Sequence, residues 1–220
     1  MAIAADAVAS LEADRYPVIL ADPPWKFRNG RTGGSMRSGA SQIYPTVATA
    51  DLCRMPIPAI AARDAIGFLW ATSPMLPDAL EVLAAWGFGY RGLVVWSKAT
   101  RAGRPFNGMG AWFRNSAELL IFGIRGRVPA LRCQLPNVVH APVGPHSAKP
   151  EAVWRLVEEA IGGREDLAPR LELFARGPPR PGWHAWGNET EDGIALPALD
   201  AWAAALPTSP AAPVLEGATA

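Results

Sequence analysis

Pro17-Val18-Ile19-Leu20-Ala21 runs directly into Asp22-Pro23-Pro24-Trp25. An apolar run of strand length stopped by two prolines reads as a buried strand ending in a rigid turn. The prolines fix φ, remove two backbone donors and push Asp22 towards an extended backbone. Further apolar runs of strand length recur at 66–71, 92–96, 118–124 and 171–175. Two helical patterns lie between them. Over 75–86, Leu76, Ala79, Leu80 and Leu83 share a face before Gly87. Over 150–161, Val153, Leu156, Val157, Ala160 and Ile161 form a stripe, Pro150 suits the first helical position and Gly162-Gly163 ends the pattern. Strands alternating with helices predict an α/β fold with a mostly parallel sheet flanked by helices.

The organisation follows outward from that frame. Residues 1–15 read as an N-terminal extension, 16–191 as one domain and 192–220 as an Ala- and Pro-rich tail, expected to pack poorly apart from a short helix near Leu199 to Leu206. Thr49 is a candidate N-cap for a further short helix. The stretches 26–43 and 98–111, rich in glycine and arginine, read as loops.

Composition narrows the function classes. Half of the 220 residues are hydrophobic, enough for one sizeable core. Cys53 and Cys133 fit neither a disulfide framework nor a zinc site, so buried, reduced thiols and no metal are expected. No secretion signal or long apolar span is evident, and the expectation is a cytoplasmic, nucleoid-associated protein without a membrane partner. The net charge of +1 conceals clustering: residues 23–50 hold Lys26, Arg28, Arg31 and Arg37 and no acid, and 91–132 hold eight Lys or Arg residues against Glu118 alone. Cationic stretches flanking the Asp22 turn suit phosphates, or simply a solvated arginine-rich surface.

The residue types in the turn suit one kind of chemistry. The exocyclic nitrogen of a base is a weak nucleophile, because its lone pair is delocalised into the ring. It reacts only when its N–H groups are held by acceptors as positive charge develops. The Asp22 carboxylate and the Pro23 carbonyl are such acceptors, Pro24 stiffens the turn, and Trp25 offers a face on which a base can stack. The plain alternative is a strand end with Trp25 in the core.

Other segments are individually weak. Gly108-Met109-Gly110-Ala111-Trp112-Phe113-Arg114-Asn115 carries donors for phosphates or base edges in Arg114 and Asn115; taken alone it reads as a glycine turn that packs Trp112 into the core. His146-Ser147-Ala148-Lys149-Pro150-Glu151 opens the 150–161 helix, where free backbone N–H groups and Lys149 favour an anionic group; ordinary capping is the other reading. Glu172 and Arg176 stand at a strand end, as do groups that bind nucleosides in open α/β sheets.

Taken in order from about Tyr16 to Glu189, these segments resemble the MT-A70 family of S-adenosylmethionine-dependent adenine N6-methyltransferases. The resemblance rests on Ala21 to Trp25, Tyr44-Pro45-Thr46, Phe68-Leu69-Trp70, Val94 to Lys98, the glycine segment ending in Glu118, His146 to Glu151, Glu172-Leu173-Phe174 with Arg176, and Gly187-Asn188-Glu189. It implies a Rossmann-like methyltransferase sheet with the motif order circularly permuted and the Asp-Pro-Pro-Trp strand first. It implies catalytic roles for Asp22, Pro23, Pro24 and Trp25. Asp22, Lys149, Glu172, Phe174, Arg176, Asn188 and Glu189 are expected around S-adenosylmethionine, and Trp25, Tyr44, Lys98, Trp112, Arg114 and Asn115 around the substrate. The loop after Arg176 lacks a His-Asn pair that the resemblance leads one to seek beside the ribose.

The expected substrate is adenine in DNA, from the compactness and the arginine- and alanine-rich, bacterial or phage character of the chain. RNA methylation, cytosine amine methylation and a catalytically silent nucleic-acid-binding subunit are the competing readings. Sequence preference is expected to come from the loops, a partner or a second copy, a homodimer among them.

Overall fold

The computed structural model describes residues 16–27, 46–110, 112–131, 135–144 and 148–207. Among them seven strands form one sheet in the order β5-β3-β4-β2-β1-β6-β7. In chain order these are β1 (Tyr16–Ala21), β2 (Ala61–Thr72), β3 (Gly89–Ala99), β4 (Ala117–Arg125), β5 (Val138–Pro142), β6 (Arg170–Leu173) and β7 (Trp183–Trp186). The helices are α1 (Thr49–Cys53), α2 (Ile57–Ile60), α3 (Leu76–Ala85), α4 (Glu151–Ile161) and α5 (Pro197–Ala204). The pairs β1–β2, β1–β6, β6–β7 and β3–β5 are parallel, and β4 runs antiparallel between β2 and β3. This is the mostly parallel, helix-flanked sheet the sequence predicts, with β2 central, β1 interior beside it, and β1's other partner β6 late in the chain.

Strand alternation divides the core. Successive residues of a strand point to opposite faces. Ile19 and Ala21 of β1 therefore join Leu69, Ile121, Leu171 and Leu173 under α1, α2, α3 and α5. Val18 and Leu20 join Phe68, Trp70, Trp96 and Leu120 beneath Val153, Trp154, Val157 and Ile161 of α4. The apolar stripe read from 150–161 is thus the lid of one half-core. Pro150 is the N-cap rather than the first helical residue, and Gly162 is the C-cap.

Several boundaries differ from expectation. β2 begins five residues before its apolar run, because Arg63 and Asp64 lie on an exposed stretch of the strand. β5 and β7 escape sequence detection. Thr49 is the first helical residue, not the N-cap, and its hydroxyl donates to Asp78 Oδ1 at 2.6 Å. The helix expected near residue 199 is present, but its surroundings are not loosely packed: Leu196 and Leu199 are fully buried, and the Trp202 indole donates to the Asp51 carbonyl. Cys53 is a free, half-buried thiol, whereas Cys133 lies outside the described residues. No helix among the described residues is long and apolar enough to cross a membrane.

Candidate active site

The alternation that builds the second half-core also builds the site. Asp22 follows Leu20 on the same face, one step beyond the end of β1. Glu172 lies on that face too, paired with Leu20 across the β1–β6 ladder. Trp96 pairs with Glu118 in the antiparallel ladder. Because β4 runs the other way, its first residues meet the last residues of β2 and β3, and Lys98 arrives beside Glu118.

The result is a row of alternating charge along one end of the sheet. Lys98 Nζ lies 2.6 Å from Glu118 Oε1. Lys149 Nζ reaches Glu118 Oε2 at 3.5 Å and Asp22 Oδ2 at 2.6 Å. The Lys149 side chain is 11% exposed and that of Asp22 36%, so the lysine is interior and the carboxylate faces solvent. Burial opposes the Lys149 charge, but the Asp22 and Glu118 carboxylates outweigh it, by their charge and hydrogen bonds, and hold its pKa above the usual lysine value. Its ammonium also lies 5.4 Å from the centre of the Trp70 ring.

Asp22 and Lys149 line a cleft of about 740 Å³ together with Leu20, Trp70, Trp154, Glu172, Phe174, Arg176, Arg180 and Glu189. Burial pushes the Glu172 carboxyl up to about 7; Arg180 pulls it down and Asp22 adds to the rise. Phe174, the first residue after β6, has φ +60, a left-handed conformation that a side chain rarely adopts. Its ring meets Trp186 edge-on, with centroids 5.8 Å apart. A Cβ on Gly187 would lie 2.6 Å from the Ala175 carbonyl oxygen and 2.7 Å from its nitrogen, so only glycine lets the chain after β7 pass this bend. Arg176 and Glu189 form a parallel bridge beyond it, with Arg176 Nε 3.7 Å from Glu189 Oε2.

Of the expected cofactor residues, Asp22, Lys149, Glu172, Phe174, Arg176 and Glu189 converge on this one cleft. Asn188 is exposed in the turn beside Glu189 and is not among the lining residues. Trp25 differs from expectation. It is 6% exposed, packs in the first half-core and donates its indole N–H to the Trp70 carbonyl at 2.9 Å. Its ring is therefore a brace for the turn, not an open stacking plate. Pro23 is buried, and its carbonyl accepts the Trp25 N–H at 2.9 Å. The Pro24 carbonyl accepts the Val47 N–H at 2.8 Å, tying down the returning chain.

The expected substrate residues scatter. Lys98 contributes to the charged row rather than to the cleft wall. Trp112 is 94% exposed, against the plain reading of a core tryptophan, and Arg114 is exposed beside it. Asn115 is half-buried at the foot of the same loop. Tyr44 and His146 lie outside the described residues. Arg180 and Trp154 also line the cleft, and neither had a site signal in the sequence. Arg180 sits in the proline-rich loop, with its guanidinium 4.2 Å from the Trp154 ring centre and its Nη1 2.9 Å from Glu151 Oε2. Trp154 read only as part of a helix.

The cleft suits S-adenosylmethionine by the chemistry of its donors. It offers Asp22, Glu172 and Glu189 for hydroxyls and cationic groups, and Lys149, Arg176 and Arg180 for a carboxylate. The Trp70 indole N–H, buried in the lining, finds no acceptor among the described residues and could serve a ligand.

A family model described as MT-A70 matches residues 16–189, a span that contains every lining residue of the cleft. The chain is 30% identical over 207 residues to the type II methyltransferase M.MunI of Mycoplasma sp., across 83% of this chain and 81% of that protein. It is 29% identical to the N(6)-adenine-specific methyltransferase METTL4 of Mus musculus, across 79% of this chain and 37% of that protein. It is 30% identical to the N6-methyladenosine RNA methyltransferase MTA1 of Pyricularia oryzae, across 80% of this chain and 47% of that protein.

Proposed function

Since the chain belongs to the MT-A70 family of adenine N6-methyltransferases, we propose that it methylates the exocyclic amine of adenine in DNA, with Asp22 as the group that orients that amine. One observation carries this reading: the Asp22 carboxylate is held at a strand end by Lys149, 2.6 Å away, and opens onto a cleft large enough for a nucleoside cofactor. Bound there, S-adenosylmethionine supplies a methyl group on a sulfonium, which an amine can displace.

The chain's own residues do the rest. Lys149 takes one oxygen of Asp22 and leaves the carboxylate lone pairs to accept an N–H of the target amine. As the amine gains positive charge, that contact strengthens, and a preorganised acceptor of this kind is worth several kcal/mol in a partly dry site. The amine releases its proton to solvent, and no dedicated base is required. Glu172 and Glu189 would accept hydroxyl and amine donors of the cofactor, and Lys149, Arg176 and Arg180 would hold its carboxylate. Extrusion of the adenine from the stack costs a few kcal/mol.

The choice of DNA draws on extent: the chain spans most of the type II methyltransferase but about half or less of the relatives named for RNA. Radiolabelled methyl transfer to DNA and to RNA, side by side, tests it. Label entering DNA as N6-methyladenine is the expected result, and label entering RNA alone would overturn it. Asp22→Ala should lower transfer by at least about 100-fold while the fold persists, because Glu118 still faces Lys149. Wild-type turnover by that variant would remove Asp22 from the mechanism.

A further inference from the structure

The loop between β3 and β4 carries two large aromatic rings into solvent. Trp112 is 94% and Phe113 88% exposed, and Met109 beside them is exposed as well. The rings sit at the tip of a turn that doubles back tightly. A Cβ on Gly110 would lie 1.9 Å from the Phe113 carbonyl oxygen, and one on Gly108 would lie 2.4 Å from that of Asn115. The Asn115 N–H donates to the Met109 carbonyl at 3.3 Å. The base of the loop is pinned to the charged row: the Lys98 N–H donates to the Ser116 carbonyl at 2.8 Å, and the Phe106 N–H to the Lys98 carbonyl at 3.0 Å. The aromatic tip therefore projects from the end of the sheet at which Asp22, Glu118 and Lys149 meet.

The loop itself carries one sign of charge. From residue 99 to 117 the chain has Arg101, Arg104 and Arg114, all exposed, and no Asp or Glu. Arginines interleaved with outward aromatic rings suit a polyanion that also offers flat apolar faces, which is the chemistry of a nucleic acid.

We propose that Trp112 and Phe113 form a stacking wedge that enters a nucleic acid next to the target nucleotide and fills the gap its extrusion leaves, while Arg101, Arg104 and Arg114 hold the adjoining phosphates. This rests on the reading of the chain as a nucleic-acid adenine methyltransferase. Apolar and aromatic side chains inserted between base steps stabilise unstacked duplexes in other proteins.

Fluorescence anisotropy with a labelled DNA duplex, and with the same duplex carrying one abasic site, tests the wedge. Wild type should bind the gapped duplex more tightly than the intact one, since no base needs to be unstacked. The double variant Trp112→Ala/Phe113→Ala should lose about tenfold in affinity and should no longer prefer the gap, with S-adenosylmethionine affinity by calorimetry unchanged. Trp112→Tyr in an otherwise wild-type chain should keep the preference. Equal binding by wild type and double variant, with DNA methylation intact, overturns the wedge alone. So does a change of oligomeric state in sedimentation without a change in duplex affinity, because the rings would then be a contact between copies. Ring-dependent binding with methyl transfer to RNA only supports the wedge and overturns the DNA substrate. Binding to neither polymer overturns both.

Discussion

Glu172 is half-buried against β1; that burial, with Asp22 nearby and Arg180 opposing it, pushes its carboxyl up to about 7 from the usual 4.5. The folded state therefore holds a proton that the unfolded chain has already released between those two values. Stability from this group is present below pH 4.5, declines as pH rises through that window, and is lost above about 7. Glu172→Gln should accordingly raise the melting temperature at pH 8 and barely alter it at pH 4, a difference on the order of 1–3 kcal/mol that calorimetry at the two pH values measures. Hydroxyl donors from a ribose favour the ionised carboxylate, so wild-type affinity for S-adenosylmethionine should increase from pH 6 to pH 8, and the Gln variant should lack that increase. At this scale the sequence is most legible where a motif fixes the backbone: Asp22, Lys149 and Glu172 all reach the cleft. Trp25, expected as an open stacking face, is in the core, and Trp112, which its segment taken alone would place in the core, is exposed, because whether an indole is buried depends on what packs over it. For Trp25 that packing comes from residues distant in sequence, Leu52, Met75 and Leu173 of the same half-core, and its N–H is taken by the Trp70 carbonyl forty-five residues away.

The bend after β6 is the element on which the cleft depends. Its left-handed Phe174 and the close passage of Gly187 place the Arg176–Glu189 bridge at the cleft wall. Gly187→Ala forces the two backbones apart and should cost roughly 2 kcal/mol or more in urea unfolding, together with a loss of cofactor affinity that exceeds the loss from an exposed control such as Asp192→Ala. Uniformly apolar strands announced themselves because both faces of the sheet are covered by helices. β7 did not, since Trp183-His184-Ala185-Trp186 is four residues long and mixes aromatic with polar positions; only its pairing to β6 makes it a strand. β5 failed for the same reason, with His140 in its centre. The antiparallel sense of β4 was equally invisible, since alternation of side chains does not record direction.

Across the whole molecule, the two half-cores are separate packing problems that share one sheet. α4 covers one, and α5 completes the other by setting Leu199 and Trp202 against Trp186 and the ring of Phe174. Leu199→Ala should cost about 2–4 kcal/mol in denaturant unfolding although it lies beyond the matched span of 16–189. A loss below about 0.5 kcal/mol would mean that α5 is dispensable. The strand order has a further effect while the chain is being made. β1 emerges early and gains β2 as a neighbour once residue 72 has been translated, yet its opposite flank stays bare until residues 170–173 appear. While the residues between β2 and β6 are being made, this apolar strand thus presents an open hydrogen-bonding border, a template for another nascent polypeptide. Expression should be correspondingly sensitive to chaperone supply and to translation speed through the middle of the message.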